Sequence, residues 1–199
     1  MANVTKSTLK GYFQKGSIPS QANFQSLIDT TLAPQSSSID TGTGVQGTGD
    51  AYKLDIADIN NEKITTVVLD LQGLSSSGAD NGIIGLDGST SSYLMKWDTP
   101  TNGNLYKVEV GCGETLSGGV TDIDLAFSAS IQSTHATISQ SNAVFFTSDS
   151  ARDQGDFKSP ESMIGVPTNN DYLYLVNGTG GQSGGAYTAG KLIIKFYGI

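Results

Sequence analysis

The sequence predicts a mainly β protein: an antiparallel β-sandwich of jelly-roll type, preceded by a short N-terminal helical hairpin. Short apolar runs with a period of two fill the chain from Tyr52 onward, and turns containing glycine, asparagine and serine separate them. Two apolar stripes with helical spacing lie before residue 34. A polar segment rich in Gly, Ser and Thr divides the two regions.

The N-terminal region, residues 1–33, is predicted to form two short helices joined at Pro19. Each is near or below the roughly 12–15 residues at which an isolated helix is marginal, so its apolar face is expected to pack on a partner. Residues 1–28 carry lysines and no acid, which favours an acidic docking surface. The predicted docking residues are Lys6, Leu9, Lys10, Tyr12, Phe13, Phe24, Leu27 and Ile28.

The segment 34–51 is predicted to be a linker. It contains Gly42-Thr43-Gly44-Val45-Gln46-Gly47, which fits the G-x-G-x-x-G pattern. A dinucleotide fingerprint requires a strand before the glycines and a helix after them. Here a serine-rich stretch precedes the glycines and a strand pattern follows, so we expect no nucleotide or other cofactor.

The third region, residues 52–199, is predicted to be the β-sandwich domain, with eight or nine short strands. No amphipathic helix of ten or more residues is predicted between them, which favours a sandwich or jelly roll over a parallel sheet. The predicted strands cover 52–58, 63–71, 105–112, 122–130, 143–149, 171–178 and 191–199, with shorter apolar runs at 82–88 and 92–98.

Composition argues against several functional classes. The formal net charge of −8 disfavours binding to nucleic acid or to an anionic membrane. No apolar run approaches the roughly 20 residues of a membrane span, and the first residues lack the apolar core of a signal peptide. We therefore expect a protein made in a cytoplasm. A single cysteine, Cys112, excludes an internal disulfide, and we expect no metal centre.

The glycine-rich stretch 177–185 raises the question of catalysis, because Gly181-Gln182-Ser183-Gly184-Gly185 fits G-x-S-x-G. In α/β-hydrolases a helix follows such a serine, whereas here a strand pattern follows. The only available base is His135, in a polar context, and it could alternatively pair with Cys112. We interpret the glycines as the tip of the last hairpin and Cys112 as a buried structural thiol, and we predict no catalytic residue.

Two further groups invite a functional interpretation. Asp122 and Asp124 share one face of a strand and could bind Ca²⁺, but the favoured interpretation is the solvated outer face of an antiparallel strand. Four aromatic residues could form a sugar-binding surface, although sheet edges and subunit contacts are commoner places for them. They are Trp97, Tyr172, Tyr174 and Tyr187.

Both ends of the chain resemble known virion proteins. KSTLKGYFQKGSIPSQANFQSLIDTTLA, residues 6–33, resembles an N-terminal module of tailed-phage virion proteins. DYLYLVNGTGGQSGGAYTAGKLIIKFYG, residues 171–198, resembles the last two strands of small β-sandwich structural proteins of cyanophages and related marine phages, and TDIDL also fits that pattern. The resemblance covers the middle of the chain only loosely.

This resemblance implies a non-enzymatic virion protein, and many members of the class assemble as trimers of jelly rolls. The expected function is a trimeric capsid decoration (cement) protein that docks on the major capsid protein or other virion subunits through its N-terminal segment. We favour decoration because the chain is short and has no long shaft. The alternatives are a tail-fibre or baseplate-associated receptor-binding or adaptor protein, which would contact host surface glycan, and, less favoured, a serine hydrolase using Ser183.

Overall fold

The computed structural model describes residues 42–45, 52–139, 143–145, 153–159, 163, 165–179 and 183–199. This part of the chain is mainly β, and its strands pair antiparallel, as the sequence predicts. None of its helices is long and apolar enough to cross a membrane. The predicted helical hairpin lies outside the described residues, as do its docking residues Lys6, Leu9, Lys10, Tyr12, Phe13, Phe24, Leu27 and Ile28.

The described residues contain eleven strands, one α-helical turn, α1 (Thr99–Asn102), and one 3-10 turn (Thr43–Val45). The strands are β1 (Tyr52–Ile59), β2 (Glu62–Asp70), β3 (Ser75–Ser76), β4 (Tyr93–Lys96), β5 (Leu105–Ser117), β6 (Ile123–Ser128), β7 (Ala143–Phe145), β8 (Phe157–Lys158), β9 (Tyr172–Asn177), β10 (Gly185–Ala186) and β11 (Ala189–Gly198). They form a five-stranded sheet in the order β1-β2-β11-β5-β8, a four-stranded sheet in the order β4-β9-β6-β7, and the short pair β10-β3.

The alternation seen in the sequence sets which side chains each strand buries, because successive residues of a strand point to opposite faces. In β11, Leu192, Ile194 and Phe196 are buried, while Ile193 and Lys195 between them are exposed. The 13-residue β5 repeats this pattern over its central part and buries Cys112 on the same side as Val110.

One apolar cluster lies against the inward faces of both larger sheets. Its members from the five-stranded sheet include Val67, Leu69, Val108, Val110, Leu192, Ile194 and Phe196, and those from the four-stranded sheet include Leu94, Met95, Ile123, Leu125, Leu173 and Leu175. Because both sheets bury an apolar face in the same cluster, this cluster is the main core of the described chain.

A second cluster covers the other face of the four-stranded sheet. The sheet contributes Tyr93, Ala126, Tyr174 and Val176, and Ile83 and Ile138 pack on them from irregular segments. The Ile83 N–H donates to the Ala136 carbonyl at 2.8 Å, so the two covering segments also hold each other. The strand predicted for the apolar run at 82–88 is not formed, because residues 82, 83 and 85 make only isolated bridges.

Part of the predicted linker belongs to the core. Val45, in a short 3-10 turn, is fully buried in the main cluster. The Gly44 N–H donates to the Ser91 carbonyl at 2.8 Å. A Cβ atom added to Gly42 would lie 2.5 Å from the Ser91 carbonyl oxygen, and one added to Gly44 would overlap the Ser92 hydroxyl. Close packing against the backbone at Ser91 and against the Ser92 side chain therefore explains the first two glycines of the G-x-G-x-x-G pattern.

Candidate functional site

Ser183 lies exposed just before β10, in the connection that carries the chain from one sheet to the other. The predicted hairpin tip is wrong, because β9 and β11 belong to different sheets. A Cβ atom on Gly184 would lie 2.5 Å from the Ser76 carbonyl oxygen, and one on Gly185 would lie 2.8 Å from that of Gly118. Gly184 is thus explained by close packing against β3, and Gly185 by close packing against the residue that follows β5.

His135 is hydrogen-bonded to a serine that the sequence did not single out. Its Nε2 lies 3.0 Å from the Ser75 hydroxyl, and its Nδ1 lies 4.0 Å from a carboxylate oxygen of Asp87. The Ser75 hydroxyl also donates to the Gly85 carbonyl at 3.3 Å, and the Asp87 side chain is 86% exposed. This arrangement has the order of a hydrolase triad, but the carboxylate lies beyond hydrogen-bond distance and the serine has a second partner.

Cys112 is buried in β5, and its thiol contacts the Glu114 carbonyl oxygen at 3.1 Å. The alternation of β5 predicts this burial. The structural interpretation of the thiol therefore agrees with its position in the sheet.

The prediction of a solvated face at Asp122 and Asp124 is wrong. Both residues are buried, at 7% and 1% exposure, and the second cluster covers the face of the four-stranded sheet on which Asp124 lies. Gly178 packs directly on the Asp122 carboxylate, where a Cβ atom would overlap it. Among the described residues, no group of three or more His, Cys, Asp or Glu side chains could hold a metal ion.

The proposed aromatic sugar-binding surface is not formed by the residues that the sequence suggested. Trp97, Tyr174 and Tyr187 are buried, and Tyr172 is half-buried. The Trp97 indole donates to the Gly103 carbonyl at 3.1 Å, and the Tyr187 hydroxyl donates to the Val120 carbonyl at 2.6 Å. Their polar atoms are thus used inside the fold, as is usual for buried Tyr and Trp.

An open surface lies on the outward face of the five-stranded sheet. Ile193 of β11 is in register with Val68 of β2 on one side and with Gly111 of β5 on the other, and Gly111 is in register with Phe157 of β8. These four residues, which we name the apolar row, cross four strands. Ile193 is 41% exposed and Phe157 is 60% exposed.

The apolar row has a gap at its centre, because Gly111 has no side chain. The gap forms an open depression of about 210 Å³, lined by Glu109, Gly111, Phe157, Ile193 and Lys195. We name this depression the trough. One side of it is apolar, and the other carries a carboxylate and an ammonium group.

The Glu109 carboxylate is held in a fixed position. Lys107 approaches one of its oxygens at 2.6 Å, and the Tyr197 hydroxyl donates to the other at 2.5 Å. The hydrogen bond from Lys107 and then that from Tyr197 lower the pKa of Glu109, with a smaller contribution from the charge of Lys195. Burial, followed by the Glu109 carboxylate, raises the pKa of Tyr197 to about 12. At neutral pH the trough therefore presents an ionised acceptor.

The charges on either side of the apolar row balance one another. Beyond the row, Lys191 lies 3.2 Å from Glu114 and 3.7 Å from Asp70. Three carboxylates, Asp70, Glu109 and Glu114, face three ammonium groups, Lys107, Lys191 and Lys195. The formal charges of these six groups thus sum to zero, although the whole chain has a formal charge of −8.

Comparison with known proteins returned no matching family model, curated protein or solved structure.

The trough could not be predicted from the sequence, because its residues come from three strands that are distant along the chain. The Gly111-Cys112-Gly113 pattern was the available signal: two glycines at outward positions of a strand leave a gap in the sheet surface.

Proposed function

We propose that this protein is a non-enzymatic structural protein of a tailed-phage virion, a trimeric capsid decoration protein with a jelly-roll-like β-sandwich domain behind an N-terminal helical hairpin. The observation that carries the proposal concerns the C-terminal stretch 171–198, which resembles phage β-sandwich proteins. This stretch supplies β9, β10 and β11, and β9 and β11 lie inside the two larger sheets rather than at their edges. The resembling residues therefore form the framework of the fold.

The proposed mechanism is docking through residues 1–33 on the major capsid protein or other virion subunits. The apolar stripes around Phe13 and Phe24 supply buried area, and Lys6 and Lys10 supply attraction to an acidic shell. Three tethered segments in one trimer bind with an avidity above that of each segment alone. Closed cyclic symmetry of the trimer matches three-fold positions on a shell. Linking neighbouring subunits in this way stabilises the capsid.

Co-sedimentation with purified virions tests the docking. The variant lacking residues 1–33 is expected to lose virion binding while it keeps the β circular-dichroism spectrum and a cooperative melting transition. Phe13→Glu in the full chain gives the same readout without truncation, and Ile131→Ala, at an exposed position of the β region, is the control expected to bind normally. Virion binding that survives both changes contradicts the proposed docking.

The second candidate is a tail-associated receptor-binding or adaptor protein, and the open trough favours it. Antibody-gold labelling of virions separates the two locations: capsid labelling supports decoration, and label confined to the tail supports the adaptor. In the adaptor case the purified protein also blocks adsorption of the phage to its host.

A serine hydrolase remains a third candidate, and the Ser75–His135 hydrogen bond is the observation that bears on it. A fluorophosphonate probe tests it directly, with Ser183→Ala and Ser75→Ala as the two variants. We expect no labelling of the parent protein. Labelling that one variant abolishes and the other keeps would assign the nucleophile and overturn the non-enzymatic proposal.

A further inference from the structure

We propose that the trough binds one ring of a neutral saccharide, a function beyond capsid decoration. A pyranose ring has an apolar face of C–H groups and an edge of hydroxyl groups. The trough offers a matching surface, with the exposed Phe157 ring and Ile193 on one side and the Glu109 and Lys195 side chains on the other. Aromatic rings supply large, rigid contact area for such a face.

The size of the trough fits a single ring. Its volume of about 210 Å³ is below the roughly 300–1,000 Å³ of pockets that enclose drug-sized ligands. Its floor is the backbone at Gly111, where a Cβ atom would lie 3.8 Å from the Phe157 ring. A ligand ring can therefore approach the sheet at this position more closely than at any position with a side chain.

The polar side of the trough suits hydroxyl groups. Glu109 accepts hydrogen bonds, Lys195 donates them, and the two residues are register partners on neighbouring strands. Lys107 and Tyr197 already fix the Glu109 carboxylate, so little side-chain freedom is lost when a ligand binds. Each carboxylate oxygen retains capacity for a further hydrogen bond. Adjacent hydroxyls of one sugar can thus bond to both groups.

The balance of charge selects a neutral ligand over an ion. The charges of the six groups named above sum to zero, and two of their ammonium groups are within 4 Å of carboxylates. A charged ligand would gain little net attraction at such a surface. A protein partner is the alternative occupant, because the same outward face also exposes Ile59 and Tyr106; the self-association outcome of the test below addresses it.

The test uses the ¹⁵N-labelled full chain and four probes: the methyl pyranosides of glucose, galactose, mannose and N-acetylglucosamine. At least one probe is expected to shift the Gly111 amide signal and to receive saturation transfer from the aromatic protons. Phe157→Ala is expected to weaken that probe's affinity by about tenfold or more, corresponding to about 1.4 kcal/mol. Phe157→Tyr keeps the ring and is expected to keep binding.

A matched pair of glycine variants tests the shape of the trough. Gly111→Val fills the depression and is expected to abolish binding. Gly113→Val makes the same change two residues along β5, at an exposed position where a Cβ atom has space, and is expected to bind normally. The proposal is overturned if no probe shifts Gly111, if both glycine variants behave alike, or if the parent protein self-associates and Phe157→Ala abolishes that association. The first two outcomes leave docking through residues 1–33 untouched, whereas loss of self-association in Phe157→Ala would also place the contact of the proposed trimer at the trough.

Discussion

The two larger sheets of this protein differ in what covers their outward faces. The four-stranded sheet carries the second cluster, so Ala126, Tyr174 and Val176 are buried on its outward face. The five-stranded sheet leaves Ile193 and Phe157 exposed on its outward face. Both sheets alternate along their strands in the same way. The alternation therefore assigns a residue to one face of its sheet, whereas the covering segments decide whether that face is core or surface.

The greatest loss of stability is expected on the covered face, where Ile83, from a covering segment, is compared with Ile193 of the open face. Ile83→Ala removes a fully buried side chain from the covered face and is expected to lower the free energy of unfolding by about 2–5 kcal/mol. Ile193→Ala, at 41% exposure on the open face, is expected to cost less than about 1 kcal/mol. Urea denaturation of both variants measures the difference. Equal losses would show that the open face is covered in solution.

A second pair of variants removes one tyrosine hydroxyl group from each outward face. The buried Tyr174 hydroxyl accepts from the Gln132 N–H at 2.9 Å and donates to the Ser130 carbonyl at 3.2 Å. Tyr174→Phe leaves these groups without their partner, and we expect a loss of about 1–3 kcal/mol in the free energy of unfolding. Tyr197→Phe, on the open face, is expected to lose about 1 kcal/mol or less. The same denaturation experiment measures both, and a larger loss for Tyr197→Phe would contradict the assignment of faces.

Alkaline pH is expected to lower the free energy of unfolding through Tyr174, on the covered face. Burial raises the pKa of Tyr174 to about 12 from an ordinary value of 10.0, so the folded state holds this proton more tightly than the unfolded state. The resulting stabilisation is complete below about pH 10 and is lost as the pH rises toward 12. Tyr174→Phe is expected to show a smaller fall in stability above pH 10 than the parent protein. Unfolding curves at several alkaline pH values test this, and lysine titration cancels between the two proteins.

The smallest change in stability is expected on the open face, when acidic pH protonates Glu109. Lys107 and Tyr197 lower the pKa of Glu109, so its stabilisation is present above the ordinary value of 4.5 and is lost as the pH falls through the lowered one. Because this pair is near the surface, the loss is expected to stay within about 1 kcal/mol. Glu109→Gln should flatten the acid limb of the stability curve by that amount. An unchanged acid limb would show that the carboxylate is not held as the structure describes.

Several features of the fold could be predicted from local pattern. The alternation in 105–112 and 191–199 correctly assigned β5 and β11 and placed Cys112 in the core. The same reasoning failed at Asp124, which does lie on the outward face of β6 but is buried there. It also failed at Val45, because a polar, glycine-rich neighbourhood concealed one buried side chain.

The amino-acid sequence was sufficient to determine the mainly β class, the antiparallel pairing and the face on which each central strand residue lies. These properties follow from the two-residue period of a strand and from turn chemistry, which act over a few residues. Only the tertiary structure decided which outward face is covered and which residues form the apolar row. Both depend on strand register between segments far apart in the chain, such as Val68, Gly111 and Ile193. Register is set by packing of the whole domain, which no local pattern contains.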